Sequence, residues 1–433
     1  MGPKPVNVAV LGGGYAGMAA AVTLAERGIP VVVYEAAAHL GGRARRVRYN
    51  GVALDNGLHV LIGACTEMLR LVRLVNRDAE HALLRLPLDW RIHDRFRMRV
   101  RALPAPLHLA AALVTARGLG LRARYAAARF IRALRAQQYR LPEDTNVAAL
   151  LVAFGQDDKT IRYLWRPLCM SALNTPIEQA SARVFLNVLR DGLDGAAASS
   201  DLLVARHDLT ALFPEPAAQF VKDHGGDIVL GHTVTAVSHH DGAFAVTARG
   251  AQRTHSHVVC ALSPHRLAGV IATLPDLCGI ASVVARFQYQ PIYSVYLQYR
   301  DRVRLPLPMI GVAQGLAHWF FDREAICGQT GLLAAVISAG GMHENLVQDE
   351  LAQRVHAEAA RHFGPVPELE WHRVIAEKRA TFACTVGIER PSAATPLAGF
   401  HLAGDYVQSD YPATLEGAVR SGVHAARAVS EML

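Results

Sequence analysis

Residues 6–35 read VNVAVLGGGYAGMAAAVTLAERGIPVVVYE: an apolar run, a glycine-rich turn, a helix-compatible stretch and a second apolar run closed by an acid. Val6 to Leu11 is short and bounded by turn residues, which suits a strand buried on both faces of a parallel sheet. Gly12, Gly14 and Gly17 fill a G-x-G-x-x-G spacing in which each glycine has its own task. The first allows a sharp turn, the second lets backbone approach a pyrophosphate, and the third lets the helix pack close to the strand. With Ala16 they form the start of a helix whose unpaired N–H groups and positive dipole end attract phosphate. Glu35 closes the second run, where its carboxylate accepts hydrogen bonds from ribose hydroxyls and repels a 2′-phosphate. Small residues at a strand-to-helix turn can also be structural. A second glycine turn, Gly41-Gly42-Arg43, follows at once and favours the nucleotide reading.

The chain has 433 residues, enough for two domains, with 51% hydrophobic and 19% charged residues, a globular composition. No apolar run reaches the roughly 18–20 residues that span a bilayer, and no secretory core follows the N-terminus, so a cytosolic protein is expected. The six cysteines (Cys65, Cys169, Cys260, Cys278, Cys327, Cys384) are scattered without C-x-x-C or metal-ligand spacing, which predicts reduced core thiols and no metal site.

Charge is unevenly distributed. From Arg85 to Arg140 there are 13 Arg, no Lys and two acids, a local net charge of +11 against +8 for the whole chain. Helical periodicity over 117–140 places Arg117, Arg122, Arg124, Arg129, Arg132, Arg135 and Arg140 on one arc opposite Leu119, Ala123, Ala126, Ala127, Phe130 and Leu134. The apolar run Leu107–Ala116 precedes it. This pattern fits an anchor on an anionic membrane and fits equally a solvated face over an ordinary core. Nucleic acid is disfavoured, because stacking aromatics and a recognition module are lacking.

Further along, residues 64–190 read as mostly helical, with a proline-bearing turn at 103–106. Residues 225–262 read as short strands around a turn at Asp241-Gly242. Residues 287–300 and 331–338 suit a second sheet, with an amphipathic helix near 348–362. Near the C-terminus, LAGDYVQSDYPATLEGAVRSG places Gly404 at a turn and Asp405 at a strand edge, with Pro412 able to start a helix. Two interleaved, discontinuous domains follow, with the cleft between them the default binding site.

The combination of GGGYAG, Glu35, GGR and LAGD…EGAVRSG resembles the FAD-dependent amine oxidase and phytoene desaturase superfamily. LDNGLHVLIGA (54–64), LWRPLCMSALNTPIEQAS (164–181), EKRATFA (377–383) and the segment 390–422 resemble, more narrowly, the hydroxysqualene dehydroxylase family. Tyr406 and Ala205 depart from its pattern, where Trp and Pro are common. The resemblance implies an α/β (α+β) fold: a Rossmann-like FAD-binding domain of the glutathione reductase/amine oxidase type, interleaved with a mixed-sheet and helical substrate domain. The FAD domain would comprise 1–63, 195–265 and 385–433. The substrate domain would comprise 64–194 and 266–384, with basic, membrane-facing helices near 105–140.

The resemblance also implies non-covalent FAD. Gly12, Gly14, Ala16 and Gly17 would meet its pyrophosphate, Glu35 its ribose, and Gly42, Arg43, Gly57, Gly404 and Asp405 its phosphate, ribityl and ring region. Val234 would lie by adenine and Leu415 by the pyrimidine edge. The implied reaction replaces the allylic hydroxyl of hydroxysqualene with hydrogen, giving squalene on the route to hopanoids, at the inner face of the cell membrane. Such chemistry needs an apolar tunnel, a proton donor and exclusion of water. His59 is the first candidate donor, since histidine titrates near neutrality. Arg166, Asn174 and Tyr411 are candidates for orienting the hydroxyl. Oxidative desaturation of carotenoid or squalene, and a non-catalytic flavin-bearing prenyl-lipid carrier, are the competing readings. Oligomeric state is open.

Overall fold

A computed structural model describes residues 7–100, 103 and 107–433. Val6, Arg101 and the prolines of the 103–106 turn lie outside them.

The first apolar run forms the strand Val8–Leu11, wholly buried and central in a five-stranded parallel sheet. It pairs with Val31–Tyr34 on one side and His257–Cys260 on the other. Asp227–Val229 and Phe400–Leu402 are the outer strands. A sheet covered on both faces needs strands apolar on both sides, as VAVL and VVVY are. All five strands come from 1–63, 195–265 and 385–433. The helix Tyr15–Glu26 covers one face and packs on the C-terminal helix Leu415–Glu431. Their approach is so close that a Cβ on Gly422 would lie 2.1 Å from the Ala16 carbonyl oxygen.

A seven-stranded mixed sheet forms the second layer, in the order 369–382, 289–299, 332–338, 319–322, 309–311, 89–92, 96–99. All its pairings are antiparallel except the contact of Gly311 with Ile92. Alternation splits the strand Tyr289–Tyr299: Val295, Leu297 and Tyr299 pack against the helix Gln348–Phe363, while Tyr296 joins the core shared with the helical segment that includes Trp165 and Phe185. A three-stranded antiparallel sheet (Val234–His240, Ala243–Ala248, Ala251–His255) turns at Asp241-Gly242 as expected.

Several expectations are corrected. Residues 64–100 are not helical throughout: Leu83–Leu86, Asp89–Ile92 and Phe96–Arg99 are strands, whose arginines alternate with apolar residues at period two. The Arg-rich stretch is broken at Gly118, where φ is +93° and a Cβ would meet the Arg95 carbonyl oxygen at 2.0 Å. Helices therefore run Leu107–Val114 and Leu121–Ala136, and Arg117 and Arg140 fall outside them. The inward face is as expected at Ala123, Ala127, Phe130 and Leu134. The last helix begins at Leu415, capped by Thr414 Oγ1 accepting from Gly417 N–H, rather than at Pro412. The cysteines are free, but only Cys169, Cys260 and Cys384 are buried. Among the described residues no helix is long and apolar enough to cross a membrane.

Candidate flavin and substrate site

The two glycine turns meet face to face. Gly41 N–H donates to the Gly13 carbonyl at 2.9 Å, and a Cβ on Gly42 would lie 3.2 Å from Gly14 Cα. Gly12 has φ +106°, and a Cβ on Gly17 would sit 1.9 Å from the Gly12 carbonyl oxygen, so neither position admits a side chain. Gly14 differs, since its Cβ would meet nothing nearer than Gly42 Cα at 3.8 Å. The backbone is open there, at the first turn of the helix that carries Ala16.

Glu35 is fixed by the loop it serves. One oxygen accepts from Gly13 N–H at 2.7 Å and the other from Ala37 N–H at 2.8 Å. A carboxylate offers about four lone-pair sites, so two remain for hydroxyls. His232 N–H donates to the Glu35 carbonyl, which brings the chain back beside this strand two residues before Val234. Val234 itself is buried in the antiparallel sheet.

After the last strand of the parallel sheet, Gly404 (φ +151°) lets the Tyr406 ring fold against it, where a Cβ would be 2.5 Å away. Asp405 is buried and accepts from Arg43 Nη2 at 2.7 Å. Burial pulls the Arg43 guanidinium down, but Asp405 outweighs it and raises its pKa. Arg43 also donates to the Ala380 carbonyl at 2.6 Å, and Asn56 holds the Arg43 carbonyl at 2.9 Å and the Glu377 carboxylate at 3.2 Å. The Tyr406 hydroxyl is buried with no hydrogen-bond partner among the described residues. Glycine turns open to backbone approach, a tethered acid beside them and an orphaned hydroxyl near Asp405 fit a dinucleotide-linked ring.

His59, half-buried, bonds through Nδ1 to the Gly57 carbonyl at 2.8 Å. Burial foremost, with Arg43 nearby, lowers its pKa although the Gly57 bond raises it, so the imidazole is neutral near pH 7. Behind it Asp55 is 3% exposed, accepts from Leu209 N–H at 2.8 Å and is pushed up to about 6 by burial.

Asn174 ends its helix in the left-handed conformation (φ +47°), and its amide is fully engaged. Nδ2 reaches Thr381 Oγ1 at 3.0 Å and Oδ1 accepts from Ala339 N–H at 2.8 Å. Thr381 follows Ala380, which holds Arg43, so the separate segments carrying Arg43 and Asn174 converge on adjacent strand residues. Tyr411 lies on the loop after Asp405, under the Arg420 guanidinium, with its hydroxyl pushed up to about 12, chiefly by burial. Leu415 is the first residue of the C-terminal helix, next to the Thr414 cap. Arg166 stands apart, exposed and ion-paired with Glu178 at 2.7 Å.

Arg390 is a functional candidate that sequence patterning does not single out. Its guanidinium donates to the carbonyls of Asp405, Tyr406, Val407, Ser409 and Tyr411 and stacks over Phe382. The loop carrying Asp405 is folded around this one side chain. A charged residue followed by Pro391 gives no periodic signal by which to find it.

The family model for flavin containing amine oxidoreductase matches residues 15–430. Hydroxysqualene dehydroxylase of Sinorhizobium fredii is 26% identical over 98% of both chains. Zeta-carotene desaturase of Solanum lycopersicum is 25% identical over 97% of this chain and 80% of that protein. Cyclohexylamine oxidase from Brevibacterium oxydans has the same fold, with a TM-score of 0.71 at 17% identity over 99% of each chain. The chain belongs to the flavin containing amine oxidoreductase family.

Proposed function

We propose that this flavin-dependent oxidoreductase carries non-covalent FAD and reductively removes the allylic hydroxyl of hydroxysqualene to give squalene. The observation that carries the reading is the convergence at Ala380 and Thr381. There the GGR turn, through Arg43, meets the LNTP segment, through Asn174, and that segment is among those that resemble the hydroxysqualene dehydroxylase family. The full-length likeness to hydroxysqualene dehydroxylase, covering 98% of both chains, supports it.

In this reading Gly12, Gly14, Ala16 and Gly17 cradle the pyrophosphate, and Glu35 binds the adenosine ribose. Val234 borders adenine, and Gly42, Arg43, Gly57, Gly404, Asp405 and Leu415 surround the ribityl chain and ring. Reduced FAD, when bound, supplies the hydride. The chain's own residues must then orient the alcohol, protonate it as it leaves as water, and keep bulk water away. His59, its Nδ1–H held by the Gly57 carbonyl, delivers that proton from Nε2 in its imidazolium form. Asn174, its amide spent on backbone and Thr381, acts by fixing the helix end beside the strand. Tyr411 borders the same loop from its far side. Arg166, held by Glu178 at the surface, would act at an entrance rather than at the reacting carbon.

Because the substrate is a bilayer lipid, the enzyme works at the inner face of the cell membrane, docking through Leu107–Val114 and Leu121–Ala136. Desaturation of a carotenoid is the second reading, favoured by the likeness to zeta-carotene desaturase. Anaerobic incubation of the reduced protein with hydroxysqualene separates them: squalene supports the first reading, and its absence alongside new double bonds made from squalene or a carotene supports the second.

A further inference from the structure

The helix Leu107–Val114 reads LHLAAALV, and its one polar residue, His108, is buried. Leu107, Ala110 and Val114 share the outward face at i, i+3 and i+7; Leu107 is 57% and Val114 63% exposed. A helix apolar on every side belongs in a core or in lipid. At the start of the neighbouring helix, Leu121 is 81% and Tyr125 70% exposed.

The arginines around the patch divide into two sets. Arg124 donates to the Val114 carbonyl at the end of the first helix and to the Leu119 carbonyl in the linker, and Arg135 is bound to Asp194 at 2.6 Å. Arg122, Arg129 and Arg132 are exposed, and no ion pair or hydrogen bond within the described residues engages their side chains. Between the two helices opens a crevice of about 280 Å³, floored by Leu109, Leu113, Ile131 and Leu193. Ala128 forms one wall, and Arg132 stands beside it.

We propose that this crevice captures one hydrocarbon chain of an anionic membrane phospholipid, whose phosphate is met by Arg132. The proposal deepens, and rests on, the membrane-docked reading above. Apolar walls suit the chain, and uncompensated guanidinium groups suit the headgroup. A second copy of this chain is a poorer occupant, since it would bring the same unpaired arginines together. Chain capture makes docking depend on the shape of the crevice as well as on charge.

Ala128→Trp tests this, because Ala128 is exposed yet lines the crevice, so the larger side chain fills the space without entering the core. Binding of the flavin-loaded protein is read by sedimentation with phosphatidylglycerol and with phosphatidylcholine vesicles. The expected result is selective binding to phosphatidylglycerol, weakened roughly tenfold by Ala128→Trp and by Arg132→Gln, the former matching the withdrawal of a few buried methylenes. Turnover of detergent-dissolved hydroxysqualene should be unchanged in both. Undiminished binding by Ala128→Trp, with loss on Arg122, Arg129 and Arg132→Glu, would show docking by charge alone and overturn chain capture while leaving the membrane reading intact. Failure of the unaltered protein to bind either vesicle would overturn both, and self-association lost on Ala128→Trp would assign the crevice to a second copy.

Discussion

Arg43 and Asp405, 362 residues apart in sequence, meet at 2.7 Å and join the first nucleotide-binding unit to the last. Asp405 is buried, while 36% of the Arg43 side chain remains accessible. Removing the arginine strands a carboxylate in the interior, and the partial exposure moderates the cost. Arg43→Met should therefore lower stability by about 2 kcal/mol and weaken flavin retention. Thermal unfolding with and without flavin measures both, and unaltered curves would show that the pair contributes nothing.

The glycines separate folding from cofactor binding. Gly17→Ala drives a Cβ into the Gly12 carbonyl, whereas a Cβ on Gly14 has room. Gly17→Ala should lose at least ~3 kcal/mol or fail to fold. Gly14→Ala should fold normally, by circular dichroism, yet copurify with much less flavin. Equal flavin content in Gly14→Ala and the unaltered protein would refute the pyrophosphate assignment.

The buried Asp55 carboxyl, at about 6 when folded and 3.8 when not, holds its proton more tightly in the native state. Its contribution is therefore present below about pH 4 and lost as pH rises through about 6, a swing of ~3 kcal/mol. Asp55→Asn keeps an acceptor for Leu209 N–H and removes the titration. The stability of Asp55→Asn relative to the unaltered protein should climb between pH 4 and 6 in urea unfolding. Parallel curves would contradict the assignment.

His59 donates a proton only when protonated, and its pKa lies below the ordinary histidine value. Turnover should fall as pH rises through that lowered value. His59→Gln should cut kcat by about 10²–10⁴-fold and flatten the profile. A profile unchanged by the substitution would remove His59 from proton transfer.

The parallel sheet is legible in the sequence because it rests on local rules. VAVL and VVVY suit strands buried on two faces, and Gly17 answers to the Gly12 carbonyl five residues before it, whereas Gly12 is also confined by the distant Ala261 carbonyl. The long strand Tyr289–Tyr299 is likewise visible from its β-branched and aromatic content. What escapes depends on distant partners. Arg390 acquires its role only when residues 405–411 wrap around it, and Asn174 only when Thr381 and Ala339 arrive. Arg124 and Arg135 carry the same helical periodicity as Arg129 and Arg132, yet the first pair is consumed by Val114, Leu119 and Asp194. Periodicity places a side chain on an arc without saying what waits there. The strands at 83–99 escape because three short segments, with arginines interleaved among their apolar residues, match no long apolar run.

The central claim is net hydride transfer to a hydroxyl-bearing carbon. An anaerobic single turnover in D₂O, with the protein-bound flavin reduced beforehand and hydroxysqualene added, tests it most directly. The expected product is squalene carrying a single deuterium at the former carbinol carbon, formed in step with flavin oxidation. Flavin that stays reduced while hydroxysqualene is recovered intact, together with dehydrogenated products from squalene under oxidising conditions, would contradict it.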